Sequence, residues 1–199
     1  EFCGEGECLD GILGAAVADR LGGIDSDTVL VLHQIGSHGP SYYLRYPQAS
    51  ERFQPACRTS NFSDCTVQEV TNAYDNTIAY TDKVLADLID LLAAQSELST
   101  SMIYVSDHGE SLGENGLYLH GAPYFMAPDQ QTKVPMLIWL SDEYQRDTGT
   151  TLECLTAKPA PDYSHANLFH TLLGMTGVET ALRNSELDIF DTCRKTPNG

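Results

Sequence analysis

At 199 residues the chain has room for one good-sized domain, or for a large piece of a bigger one. Lys plus Arg number 11 against 28 Asp plus Glu, a formal net charge of −17, which argues against nucleic acid and leaves no basic patch for an anionic lipid surface. No apolar run approaches the roughly 18 residues of a membrane span, and residues 1–4 do not resemble a signal peptide, so any export signal or anchor is expected upstream of Glu1.

The chain begins with Cys3 and Cys8 around a Gly/Glu loop; Cys57 and Cys65 enclose a second polar loop, and Cys154 and Cys193 bracket the last segment. Six cysteines at loop positions with no C-x-x-C knuckle favour disulfides over zinc ligands, and hence an oxidising compartment, although six allow about 15 connectivities. Leu9, Ile12, Leu13, Val17 and Leu21 recur at helical spacing, and Gly22-Gly23 stops that helix. Thr28 to Leu32 is an apolar run without alternation, expected as a strand buried on both faces, and it exits into His33-Gln34-Ile35-Gly36-Ser37-His38-Gly39-Pro40. Residues 41–66 are loop-like. A long amphipathic helix follows, with Val70, Tyr74, Ile78, Leu85, Leu88 and Leu92 on one stripe.

Met102-Ile103-Tyr104-Val105 reads as a short buried strand that ends in Ser106-Asp107-His108 and enters a glycine-rich loop. That exit places a carboxylate and an imidazole at the C-terminal edge of a strand, where open α/β sheets bind ligands. Asp plus His suits zinc, and His120 is near enough in sequence to return to the same mouth. The pattern is that of half a metallo-phosphotransfer site. Val134 to Leu140 forms a third apolar strand, and Ser164 to Met175 a helix with Leu168, Leu172 and Met175 inward. With no repeats, linkers or low-complexity segment, one α/β domain is expected.

Each candidate has a structural rival. Asp107 could cap a following helix, and Glu110 could be a first-turn carboxylate favoured by a helix dipole. His33, inside its strand exit, is read as a supporting residue rather than a ligand, and Glu114 as structural. His165 and His170 are five apart, so they do not share a face as an i, i+4 metal pair would; surface or packing roles are expected. Tyr42, Tyr43, Arg45 and Tyr46 could meet a headgroup or acceptor, or could form a structural tyrosine-rich loop.

Three blocks carry a resemblance: His33 to Pro40, Asn72-Ala73-Tyr74-Asp75-Asn76-Thr77, and Asp107-His108-Gly109-Glu110-Ser111-Leu112-Gly113-Glu114-Asn115-Gly116 through His120-Gly121 to Ala127-Pro128-Asp129-Gln130-Gln131. In that order, over nearly the whole chain, they resemble the lipid A phosphoethanolamine transferases of the alkaline phosphatase and sulfatase superfamily, which include the mobile colistin-resistance enzymes. The long Asp-His-Gly-Glu motif is specific; Asp-His-Gly alone would indicate only the superfamily. The resemblance implies a three-layer α/β/α, alkaline-phosphatase-like (sulfatase-like) fold with a mainly parallel sheet. It implies a catalytic domain on the periplasmic face of the inner membrane of a Gram-negative bacterium. The donor would be phosphatidylethanolamine and the acceptor a lipid A phosphate of lipopolysaccharide.

By the same resemblance, Asp107 and His108 match two ligands of the principal zinc ion (Zn2+). His38 and His120 match residues that meet the transferred phosphate or a second zinc, and Glu110 matches an acidic residue of that pocket. The family's nucleophilic threonine and a glutamate ligand lie N-terminal to everything present here. Residues 1–199 are therefore expected to be the C-terminal portion of the catalytic domain, inactive alone, with membrane contact through the missing N-terminal region. Sheet edges left by the missing strands could be covered in a dimer. The other readings are a sulfatase- or phosphatase-type hydrolase of the same superfamily and a non-catalytic module that keeps the scaffold.

Overall fold

Two short strands, β1 (Cys3–Gly4) and β2 (Glu7–Cys8), pair antiparallel near the start of the chain. The Cys3–Cys8 disulfide cross-links them. Leu9 stays with this pair, its N–H donating to Phe2 O at 2.8 Å. The helix expected from Leu9 therefore starts later, as α1 (Ile12–Leu21), and buries Val17 and Leu21. The computed structural model describes residues 2–4, 7–157 and 163–194, which form two compact units. One comprises Glu1–Leu91 with His108–Pro135, and the other Leu92–Asp107 with Met136–Gly199.

The first unit is organised by α2 (Val67–Ala93), which runs on into the first residues of the second. Its buried positions include Val70, Ala73, Thr77, Tyr80, Val84 and Leu88, at the three- and four-residue steps of one helix face. Ile78, expected on the buried stripe, lies off this face and is 47% exposed. Val70 and Ala73 pack with Tyr42 and Cys57, flanked by Phe62, Leu112 and Leu119. Residues 41–66 contain only short 3-10 turns, at Tyr42–Leu44, Gln48–Ser50 and Phe62–Asp64. Their backbone needs partners all the same. Fully buried Asn76 supplies some: its Oδ1 accepts from Arg52 N at 2.7 Å and Phe53 N at 2.9 Å, and its Nδ2 donates to Phe53 O at 2.9 Å. A second disulfide, Cys57–Cys65, closes this region.

The apolar run Thr28–Leu32 corrects an expectation. It belongs to no strand, and Val29 and Val31 are 61% and 88% exposed. No strand among the described residues pairs with it, and Leu30 and Leu32 are more shielded than Val29 and Val31. The first unit also holds β4 (Ser111–Leu112), β5 (Tyr118–Leu119) and the single-turn helix α3 (Asp129–Thr132).

In the second unit β3 (Ser101–Val105) pairs antiparallel with β6 (Met136–Leu140), Ser101 opposite Leu140 and Val105 opposite Met136. Parallel pairing was expected to dominate; among the described residues all three ladders are antiparallel. The two five-residue strands satisfy each other directly, without the crossover that a parallel pair requires. The helices α4 (Asp142–Thr148), α5 (Leu152–Ala157) and α6 (His165–Met175) follow. Leu140, Tyr144, Ile189 and Phe190 form the core, with Met136, Ile138, Leu152, Leu155 and Met175 against it. The third disulfide, Cys154–Cys193, ties α5 to the last described turn.

On α6 the fully buried face is polar. Asn167 and Thr171 are buried, whereas Leu172, expected inward, is exposed. The reason is the chain beside it: Asn167 Nδ2 donates to Leu187 O at 2.9 Å, and Thr171 Oγ1 accepts from Ile189 N at 3.0 Å. An irregular segment presents backbone groups, and side chains that can bond them take the inward positions.

Candidate functional site

The glycine-rich stretch after β3 contains no α-helix until Asp129. Asp107 is therefore not an N-cap, and Glu110 is not a first-turn carboxylate. Gly109 instead lies against the Ala127–Gln131 segment. Its N–H donates to Gln131 O at 3.0 Å, and a Cβ there would sit 1.9 Å from Gln130 O, so no other residue fits. Gln131 is buried and also binds forward and back: Nε2 donates to Ser111 Oγ at 2.9 Å, and Oε1 accepts from Ala122 N at 3.2 Å. Thus the two ends of the long motif hold each other.

Between them β4 and β5 form a short ladder, Ser111 opposite Leu119. Glu114 Oε2 accepts from Leu112 N at 2.7 Å, the structural role expected of it. Leu119 has a φ of 65°, a left-handed conformation that costs a non-glycine residue about 1–2 kcal/mol. Its side chain packs in the core around Tyr42 and Val70, which holds the backbone in that state and aims the next residue, His120.

Three imidazoles gather here. The rings of His108 and His120 lie 3.8 Å apart at 30°, and the His38 ring is 5.1 Å from His120 and 6.2 Å from His108. Each Nδ1 faces an oxygen: His38 Nδ1 to Gly39 O at 2.7 Å, His108 Nδ1 to Gly109 O at 3.1 Å, and His120 Nδ1 to Glu110 Oε1 at 2.5 Å. A carbonyl or carboxylate oxygen only accepts, so Nδ1 carries the proton in all three. Whenever such a ring is neutral, Nε2 is its lone-pair nitrogen.

Glu110 is buried, its side chain 3% exposed, and its other oxygen accepts from Tyr42 OH at 2.5 Å. Burial, then the Glu110 bond and charge, push the Tyr42 hydroxyl far above the ordinary tyrosine range, so it remains a donor. His108, Glu110 and His120 each offer a ligand atom, all within 4.8 Å of one another, an arrangement able to hold a metal ion.

The loop that carries His38 is pinned at several points. Asp10, buried, accepts from Ile35 N at 2.9 Å and Gly36 N at 2.8 Å. Thr77 Oγ1 donates to Ser37 Oγ at 2.6 Å, and Arg45 Nε donates to His38 O at 3.1 Å. Arg45 is itself buried and paired with Glu7 on β2 at 2.5 Å.

Of the residues singled out by sequence, His38, His108, Glu110 and His120 come together. Asp107 is exposed and falls in the second unit, and the metal-ligating group does not include it. His33 is exposed and lies outside the contacting rings. In the second unit His165 Nε2 meets Ser106 O at 2.8 Å, and His170 Nδ1 accepts from Asn184 N at 3.1 Å, both packing roles. In the tyrosine-rich loop Tyr42, Arg45 and Tyr46 are buried and Tyr43 is half-buried. Sequence reading did not find Asp10, which looks like a residue preceding a helix, or the partnership of Tyr42 with Glu110.

The chain is similar to known proteins over nearly its whole length. The family described as Sulfatase matches residues 1–178. The phosphoethanolamine transferase EptA of Escherichia coli K12 is 48% identical over 195 residues, 97% of this chain but 36% of the relative. The chain thus spans about a third of the curated relatives it matches most fully. The soluble domain of lipooligosaccharide phosphoethanolamine transferase A from Neisseria meningitidis superimposes with a TM-score of 0.92 at 43% identity, covering 98% of this chain and 59% of that one. The C-terminal periplasmic domain of EcEptC from Escherichia coli, solved in complex with zinc, gives a TM-score of 0.78 at 21% identity, covering 98% and 54%, and attests the fold alone. The chain belongs to the sulfatase family and has the sulfatase fold, and the relatives it follows over nearly its whole length are phosphoethanolamine transferases.

Proposed function

We propose that the chain is the C-terminal portion of the catalytic domain of a phosphoethanolamine transferase that moves phosphoethanolamine from phosphatidylethanolamine to a lipid A phosphate. The observation that carries this reading is the convergence of His38, His108 and His120 around buried Glu110, within the segment shared with the transferases. Three disulfides suit a catalytic domain on the periplasmic face of the inner membrane. No helix among the described residues is long and apolar enough to cross a membrane. In this reading, attachment to the membrane belongs to the rest of the parent protein.

Imidazole and carboxylate donors within 4.8 Å of one another fit zinc. His108 would hold the ion with Asp107, which enters through their shared motif. His38 and His120 would meet the transferred phosphate or a second ion. Bound zinc would supply Lewis-acid stabilisation of the charge that builds on phosphoryl oxygens. The chain's own groups orient and move protons. With Nδ1–H held on Glu110, His120 has only Nε2 to gain or give a proton. In its doubly protonated form it hydrogen-bonds a phosphoryl oxygen, or passes the Nε2 proton to the departing diacylglycerol alkoxide and returns to the neutral ring.

The test uses the full-length parent protein in membranes containing lipid A, read by mass spectrometry. The reading expects a phosphoethanolamine adduct on lipid A that His108→Ala abolishes. Release of free phosphoethanolamine over unmodified lipid A would indicate a hydrolase and overturn it.

A further inference from the structure

The Tyr42 hydroxyl and the His120 ring take the two oxygens of one buried carboxylate: Tyr42 OH donates to Glu110 Oε2 and His120 Nδ1 to Glu110 Oε1, each at 2.5 Å. We infer that Tyr42 is a positioning residue that fixes, through Glu110, which nitrogen of His120 carries the proton and where the other one points.

Tyr42 is 1% exposed. Its ring stacks on Phe62 at 5.6 Å and meets Tyr74 edge-on at 5.4 Å, so the hydroxyl has one direction available. The close approach extends to the His38 loop. A Cβ on Gly39 would lie 2.9 Å from Tyr42 OH and 3.0 Å from Glu110 Oε2, so glycine at that position keeps a side chain from pressing on the pair. A carboxylate locked at Oε2 offers Oε1 to His120 in a fixed orientation.

His120 needs such an anchor. It lies on a tight loop after Leu119, its side chain is 31% exposed, and in water a neutral imidazole prefers the proton on Nε2. Glu110 reverses that preference by accepting at Nδ1, and Tyr42 keeps Glu110 facing the ring. An imidazole held by a carboxylate through its remote nitrogen is a recurrent way to orient the other nitrogen toward a metal or reacting group. Tyr42 touches neither, and its effect passes entirely through Glu110. What the alignment is for rests on the transferase reading; the alignment itself does not.

The rival is that Tyr42 only fills the core. Tyr42→Phe separates the two, since it keeps the ring and removes only the oxygen. The probe is the 199-residue chain labelled with 15N-histidine, free of metal, at a pH where the rings are neutral. Long-range 1H–15N spectra then report the tautomer of each ring. In the unaltered chain His120 is expected as the Nδ1–H form. In Tyr42→Phe it is expected to shift to a mixture of both tautomers, with His38 and His108 unchanged because their Nδ1 partners are backbone carbonyls.

A His120 already in the Nε2–H form in the unaltered chain overturns the inference. So does a His120 signal that Tyr42→Phe, still folded by its amide spectrum, leaves unmoved. If Tyr42→Phe does not fold, the unaltered chain decides. A protected Tyr42 hydroxyl proton and a downfield His120 Nδ1 proton, both lost in Glu110→Ala, support the inference; their absence overturns it. Loss of lipid A modification with these tautomers intact would instead count against the transferase reading.

Discussion

Gly36 and Asp10 are 26 residues apart in sequence, yet the Gly36 N–H donates to Asp10 Oδ2 at 2.8 Å, and the Ile35 N–H beside it to Oδ1 at 2.9 Å. Gly36 has a φ of 57°, so the turn presents two successive N–H groups to one acceptor. Asp10→Asn keeps one acceptor and turns an amide donor against the other N–H. We expect a loss of about 1–3 kcal/mol in unfolding free energy, the cost of an unmet buried donor. Urea denaturation of the chain and the variant checks this, and an unchanged midpoint would contradict it.

Gly109→Ala is expected to be far more damaging than its single methyl suggests. The new Cβ would fall 1.9 Å from Gln130 O, which is backbone and cannot swing aside. Either the Gly109–Gln131 hydrogen bond breaks or the Ala127–Gln131 segment moves. A drop of several degrees in melting temperature is expected, together with loss of the three-histidine arrangement, readable in the imidazole spectra.

The Cys154–Cys193 disulfide spans 39 residues, against 5 and 8 for the other two. Loop-closure entropy then assigns it the largest contribution of the three, about 4 kcal/mol compared with about 2 for each short loop. A Cys154→Ser/Cys193→Ser double variant is expected to be less stable than Cys57→Ser/Cys65→Ser, by denaturant midpoint under non-reducing conditions.

Buried tyrosines give the chain an alkaline limit. Burial raises the hydroxyls of Tyr42, Tyr46, Tyr80 and Tyr144 above their ordinary 10.0. Above that value the unfolded chain releases these protons while the folded chain retains them. Stability is therefore full below pH 10 and falls as pH rises beyond it, by up to about 1.4 kcal/mol per pH unit for each such group. Tyr42→Phe is expected to start less stable but to show a shallower alkaline decline, by about one proton. Equal slopes would contradict the burial of that hydroxyl.

Much of the site was legible because its residues lie in compact motifs. Asp107-His108-Gly109-Glu110 and His120 are separated by one small ladder, and the sequence already suggested that His120 returns toward His108. The family and its fold were legible for the same reason. Residues joined by long-range packing were not legible. Tyr42 and Glu110 are 68 positions apart, and nothing local shows that one hydroxyl among ten tyrosines faces that carboxylate. The apolar run Thr28–Leu32 misled for a related reason: composition proposes a strand, but only a neighbouring strand makes one. On α6 hydrophobicity pointed to Leu172, whereas the irregular segment beside the helix required hydrogen-bonding side chains at Asn167 and Thr171.

We propose that His108 is a zinc ligand of the parent enzyme. The most direct test is zinc per chain by elemental analysis of the purified, chelator-free full-length parent protein, beside His108→Ala. Near-stoichiometric zinc is expected in the unaltered parent protein, and its loss in the variant. Absence of zinc from the unaltered parent protein, or equal zinc in both proteins, would contradict that role.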